Sequence, residues 1–185
     1  MPDPGSPSGY LGISRRPTRR EWRRALLIFA AGTIVLVLLL LFLRPRPNVL
    51  AVGTSAPAIS LRSATGGQVS VPAAAAGKPF VVEFFEAGCA HCQQVAAQLC
   101  SERVPVFAVD AAKDSAQTIT AYQHQYAPAC SYPMLLDPDL TAAGAYGVNV
   151  VPTVYLVKDG RIVYAGTGLD GVAGLAAAVQ KALGG

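Results

Sequence analysis

Beyond residue 46 the 185-residue chain carries little charge and no basic cluster. That portion holds seven Lys and Arg against nine Asp and Glu, a net of −2, so it has no electrostatic footprint for nucleic acid. The formal +4 of the whole chain comes from residues 1 to 46, where eight arginines face only Asp3 and Glu21. Metal-ligating residues are also few. One Cys-x-x-Cys is present, and Cys100, His124 and Cys130 supply neither a second such pair nor a His-x-x-x-His. A zinc site needs four ligands, so these residues call for no metal. Gln93 stands where Cys-x-x-Cys-His requires its histidine, which excludes a c-type haem. No cofactor is expected, and no internal repeat is present.

What the chain has in excess is apolar residues, 52% of the total, ample for a core. Its length suits one compact domain plus an appendage. Ala25 to Leu43 is a run of 19 residues without charge or proline. As a helix it would be about 28 Å long, close to the hydrocarbon thickness of a bilayer. A buried core helix is the alternative, but such helices are rarely apolar all round. Arg15, Arg16, Arg19, Arg20, Arg23 and Arg24 precede the run and only Arg44 and Arg46 follow closely. The positive-inside rule then puts the N-terminus in the cytoplasm and the rest outside the cell membrane, in the periplasm or on the outer face. A cleaved signal peptide fits less well, because its apolar region is usually about 7 to 15 residues and no small-x-small site follows directly. The expected partition is a disordered basic cytoplasmic tail (1–24), a transmembrane anchor (25–43), a Pro-containing linker (44–52) and a folded domain (53–185). All four cysteines then lie where disulfides persist.

The folded part alternates. Short strands are expected at Ala58–Leu61 and Val69–Val71, with a turn or helical stub at Ala73–Ala76. Phe80–Phe85 reads as a strand apolar on both faces, as a central strand would be. A helix over Ala90–Glu102, a strand over Val104–Val109 and a helix over Asp114–Tyr126 follow. Met134–Leu136 is strand-like, and Asp139–Tyr146 a short helix. Thr153–Val157 and Arg161–Tyr164 are joined by Asp159-Gly160, a hairpin signal. One helix over Leu169–Leu183 closes the chain. The fold class is α/β, a central mixed β-sheet flanked by helices and preceded by one transmembrane helix.

Cys89-Ala90-His91-Cys92 follows a strand and opens a helix. Unpaired N–H groups and the dipole at a helix N-terminus favour an anion, and the thiolate is the reactive form of cysteine. Two intervening residues let Cys92 close a disulfide across the first turn. A protonated His91 beside that thiolate would stabilise the reduced pair and make the disulfide more oxidising. Glu83 lies in a strand of Val and Phe, where a lone buried carboxylate stays protonated. There it could pass a proton to and from Cys92; the alternative is that strand alternation turns it to solvent or to a lysine. Pro152 precedes a clear strand, and a cis bond there would present the Val151 backbone to an extended peptide. Tyr122, Tyr126, Tyr146 and Tyr155 read as core or rim residues.

Together these residues resemble the thioredoxin superfamily, and within it the TlpA/ResA-like membrane-anchored thiol–disulfide oxidoreductases. The resemblance covers roughly Val52 to Leu183. It rests on the Val52–Leu61 entry segment with Gly66-Gly67, on Phe80–Cys92, on Tyr132–Pro138, and on Val151-Pro152-Thr153 with Asp159-Gly160. It implies a thioredoxin-like fold with Cys89 attacking, Cys92 resolving, Pro152 as a facing cis-proline and Glu83 as a buried acid. Its partners would be client proteins with thiols or disulfides and a membrane redox partner that recharges the dithiol. Gly88 replaces the aromatic residue common before the first cysteine. The family suggests a reductant for cytochrome c biogenesis, whereas Ala-His is similar to the Pro-His of periplasmic oxidases, so reductase and oxidase directions both stay open.

Cys100 and Cys130 are expected away from the dithiol, either as a structural disulfide or as a relay to Cys89 and Cys92. Three rival readings are distinguishable. A peroxiredoxin expects Thr or Ser three residues before its peroxidatic cysteine, where Glu86 stands. A Cu(I)-binding delivery protein would use the two thiolates as soft ligands. A non-catalytic adaptor would tolerate Cys89→Ser.

Overall fold

The computed structural model describes residues 18–43 and 48–184. Residues 1–17 of the tail expected to be disordered lie outside the described residues, as does the first part of the linker, whereas residues 19–24 of that tail are helical. The chain divides near residue 46 into two units, each with its own contacts.

The first unit holds α1 (Arg19–Phe42), 24 residues and about 36 Å of helix. It begins six residues ahead of the apolar run because Thr18 and Glu21 form a reciprocal cap. The Glu21 N–H donates to the Thr18 hydroxyl at 3.3 Å, and the Thr18 N–H donates to the Glu21 carboxylate at 2.7 Å. None of its residues is buried, and its most apolar window has a mean hydropathy of 3.0. An isolated helix of this length and composition is able to cross a membrane.

The second unit is a seven-stranded mixed sheet with helices on its faces. Its strands are β1 (Ile59–Ser63), β2 (Gln68–Val71), β3 (Phe80–Phe85), β4 (Val106–Asp110), β5 (Met134–Leu136), β6 (Thr153–Lys158) and β7 (Arg161–Thr167). They lie in the order β2-β1-β5-β4-β3-β6-β7. β3 runs parallel to β4 and antiparallel to β6, and all six of its residues are buried. The helices are α2 (Ala90–Leu99), α3 (Ala116–Tyr126), α4 (Thr141–Ala145), α5 (Gly168–Ala173) and α6 (Leu175–Gly184). A single 3-10 turn, Ala73–Ala75, fills the expected stub.

Strand alternation divides β3 between two cores. Phe80, Val82 and Phe84 face a layer with Phe107, Tyr146, Tyr155 and Ile162. Val81 and Phe85 face α2, against Val95 and Leu99 or Cys92 and Ala96. Glu83 falls between Val81 and Phe85 and therefore on the α2 face.

Several boundaries differ from the sequence reading. The domain's own contacts reach back to Asn48, ahead of the expected start at Gly53. The Asn48 N–H donates to Asn149 Oδ1 at 3.0 Å, and the Leu50 N–H to the Tyr155 hydroxyl at 3.2 Å. The helix expected at Asp139 starts at Thr141, because the buried Asp137 accepts the N–H groups of Thr141 and Ala143, both at 2.9 Å. α2 stops at Leu99 rather than Glu102. The single terminal helix is two, divided at Gly174, where a Cβ would collide with the Tyr164 hydroxyl. The Asp159-Gly160 hairpin forms as expected, both residues having positive φ (52° and 72°).

Candidate active site

Cys89 is the N-cap of α2. It sits in extended backbone while its sulfur accepts the Cys92 N–H at 3.3 Å. The sulfur thus occupies the position where helix-end donors and the dipole favour negative charge. Cys89 is half-buried, Cys92 is fully buried, and both are free thiols in this structure. The Cys89 thiol faces the Val151 carbonyl oxygen at 3.9 Å. Val151 and Pro152 are joined by a cis peptide bond at the start of β6.

Glu83 is 1% exposed, and among the described residues its Oε1 has no hydrogen-bond partner. Burial pushes its carboxyl up to about 8, so it holds its proton at neutral pH. The alternative of a solvent-facing or lysine-paired Glu83 is excluded. Burial also raises the Cys92 thiol well above its ordinary range, with smaller contributions from its contact with Cys89 and from the charges of Cys89 and Glu83. The two thiols are therefore unequal, one capping and accessible, one buried near a protonated acid.

His91 lies in the first turn of α2 and is exposed; among the described residues no hydrogen bond or ion pair holds it. Glu86 is exposed beyond the end of β3. The described residues contain no group of three His, Cys, Asp or Glu able to hold a metal ion.

Sequence reasoning missed the groups that fix this frame. Both polar atoms of the Ala87 peptide unit are held by side chains: its N–H donates to Asp114 Oδ2 and its C=O accepts from Gln93 Nε2, each at 3.0 Å. Asp114 is itself placed by Asp110, which accepts the Asp114 N–H at 2.8 Å. The Tyr122 hydroxyl donates to the Cys92 carbonyl at 2.8 Å, and its ring stacks on Phe85 with centroids 5.0 Å apart. Tyr132 donates to the Ala96 carbonyl at 3.0 Å. The Asp114, Tyr122 and Tyr132 contacts come from elements distant in sequence, and no local pattern announces them.

At the far end of α2, Cys100 and Cys130 are joined as a disulfide, with Cα atoms 5.2 Å apart.

A mixed sheet flanked by helices, with a dithiol capping the helix after its central strand, defines a thioredoxin-like protein. The chain belongs to the AhpC/TSA family, whose model matches residues 52–165. No curated protein matches the sequence. Among solved structures it is similar to the thioredoxin domain of a thiol-disulfide oxidoreductase from Bacteroides vulgatus (22% identity, 71% of this chain and 97% of that one, TM-score 0.59). It is also similar to peroxidoxin BcpB from Mycobacterium tuberculosis (17%, 71% and 97%, TM-score 0.61). StoA from Bacillus subtilis is a third (18%, 66% and 96%, TM-score 0.54). At these identities the likenesses establish the fold.

Proposed function

We propose that the protein is a membrane-anchored thiol–disulfide oxidoreductase of the TlpA/ResA-like kind, exchanging disulfides with client proteins through Cys89 and Cys92. The observation that carries this reading is the inequality of the two thiols over Glu83. Cys89 is the reachable sulfur at a helix N-terminus, and Cys92 is buried near an unpaired, protonated carboxyl.

In the reducing direction the Cys89 thiolate attacks a client disulfide. A Cys89–client bond forms, and the client's other sulfur leaves as a thiolate and is protonated. Cys92 must then lose its proton to attack Cys89. The rise of its thiol with burial makes this step slow without a base nearby. Glu83, once ionised, takes that proton, and the client's first sulfur leaves as the second thiolate. The protein ends as a Cys89–Cys92 disulfide, and two electrons have passed to the client. The reverse sequence oxidises a client dithiol. Val151 and Pro152 line the face opposite Cys89 where an extended client segment lies. His91, exposed beside Cys89, sets the potential of the pair. α1 anchors the chain with its arginine-flanked end in the cytoplasm and the catalytic domain outside. A membrane redox partner recharges the dithiol.

Peroxidase chemistry is a second reading, favoured by the family and by the likeness to BcpB. Against it, Glu86 occupies the place three residues before Cys89 where a peroxidatic site expects a hydroxyl.

The deciding experiment is insulin-disulfide reduction by the full chain in detergent, beside peroxide consumption and Cu(I) titration. Turnover abolished by Cys89→Ser supports the proposal. Peroxide turnover, or stoichiometric Cu(I) binding with no exchange, would replace it. The reduction potential then fixes direction: a value near the roughly −270 mV of thioredoxin marks a reductase, one near roughly −120 mV a disulfide donor.

A further inference from the structure

The Cys100–Cys130 disulfide ties the C-terminal end of α2 to the loop after α3. It is not a buried bridge. Cys100 is exposed and Cys130 half-buried. Both line one cleft of about 460 Å³, walled by Leu99, Val104 and Phe107 with Glu102 as its one acid. Cys130 also lines a second cleft of about 330 Å³, beside Gln123 and His124. Exchange requires an incoming thiolate to reach a sulfur, and exposed bridges are the labile ones. Residues from both sides of this bridge open onto clefts.

The bridge also sits on the reactive helix. α2 carries Cys89 as its N-cap and Cys100 as its C-cap. Tyr132, two residues beyond Cys130, donates to the Ala96 carbonyl on α2 at 3.0 Å. Gln123 Nε2 holds the same loop through the carbonyls of Cys130 and Tyr132, each at 3.3 Å. With the disulfide open, these hydrogen bonds are what keep the loop against α2.

We propose that Cys100–Cys130 is a second thiol–disulfide exchange site, taking a thiol on an apolar, non-acidic segment or a small neutral dithiol, and coupled through α2 and Tyr132 to the Cys89–Cys92 pair. A thiolate of the dithiol attacks Cys100 Sγ. A mixed disulfide forms, the Cys100–Cys130 bond breaks, and Cys130 leaves as a thiolate and is protonated. The dithiol's second thiolate then attacks its own sulfur in the mixed disulfide and releases Cys100. The dithiol becomes a disulfide, and the protein gains two electrons and two protons. This holds whether or not Cys89 and Cys92 turn over clients.

The test uses the full chain in detergent, as wild type and as Cys89→Ser/Cys92→Ser. Dithiothreitol is added under native conditions, samples are acid-quenched and alkylated, and peptide mapping reads each cysteine. The wild-type map keeps the test intact if the double variant does not fold. The expected result is labelling of both Cys100 and Cys130 at a rate that changes less than about twofold as urea rises toward, but stays below, the unfolding transition, as for attack on a folded site. Labelling that instead tracks the unfolded fraction overturns the exchange site. Coupling is read in the wild type as at least a threefold change in the Cys89 alkylation rate once the bridge is open. An unchanged rate overturns the coupling.

Discussion

Asp114 Oδ2 accepts the Ala87 N–H at 3.0 Å, two residues ahead of the cysteine that caps α2. With Gln93 on the carbonyl of the same residue, it pins the turn that sets where the Cys89 sulfur points. A backbone hydrogen bond to a charged acceptor contributes about 1.5 to 3 kcal/mol. Asp114→Ala is therefore expected to lower stability by about 1 to 2 kcal/mol in urea unfolding. It should also slow insulin reduction more than that loss explains. Asp114→Asn keeps an acceptor oxygen and should restore most of the rate. Equal rates for the two variants would mean that the turn does not depend on this contact.

Cys92→Ser should accumulate a covalent Cys89–client species on non-reducing gels, because attack still occurs and resolution does not. Cys89→Ser should yield none, since the buried Cys92 is out of reach of a client. A Cys89→Ser variant that still traps clients would reverse the assignment of the two sulfurs.

The β3 strand and the turn into α2 were legible because a run of Val and Phe with a break at Gly88 has one reading, a central strand entering a helix. The same run left Glu83 with two readings, buried or turned to solvent or a lysine; Val81 and Phe85, which share its face of β3, pack in the core and decide for burial. The split of the terminal helix was not legible. Gly174 has an ordinary helical backbone, and only the Tyr164 hydroxyl, brought in by β7, shows why the position must be small. Gly166 and Gly171 are a similar case, as a Cβ on either would fall onto the other's backbone. Asp114, Tyr122 and Tyr132 escaped for the same reason. Each acts on α2 or on the turn before it through a contact that exists only once the sheet has formed. Local pattern marks reactive residues; the residues that hold them are chosen by tertiary packing.

His91 is exposed in the first turn beside Cys89, where a positive charge would favour the thiolate over the disulfide. His91→Ala should make the pair more reducing, by about 20 to 30 mV if the interaction is worth about 1 kcal/mol in solvent. The shift should shrink at high salt. Potentials of wild type and variant that agree at low salt would remove His91 from the mechanism.

Replacing both Cys100 and Cys130 by serine frees a closed loop with a sequence separation of 30. On the chain-entropy model this costs roughly 3 to 4 kcal/mol, enough for a clear fall in the urea midpoint. A midpoint unchanged within error would show that the unfolded chain gains nothing from the released loop.

Glu83 links the chemistry to stability with a definite sign. Its carboxyl is raised from 4.5 to about 8 by burial alone. Between those values the unfolded chain has lost this proton and the folded chain has kept it. The folded state then binds more protons, and stability falls as pH rises, by up to about 1.4 kcal/mol per pH unit from this group. The contribution is complete below 4.5 and is lost as pH passes 8. Asp110 adds a slope of the same sign, its carboxyl being raised from 3.8 to about 6 mainly by burial, so the comparison must be made between wild type and Glu83→Gln. The glutamine variant should lose the slope between about pH 6 and 8 and become the more stable protein at the alkaline end. It should also slow release of the client from Cys89 by about a hundredfold, the usual order of a lost proton-transfer group. A stability gain without that slowing would make Glu83 a buried acid with no part in exchange, and slowing without the altered pH slope would mean that it is already ionised in the folded protein.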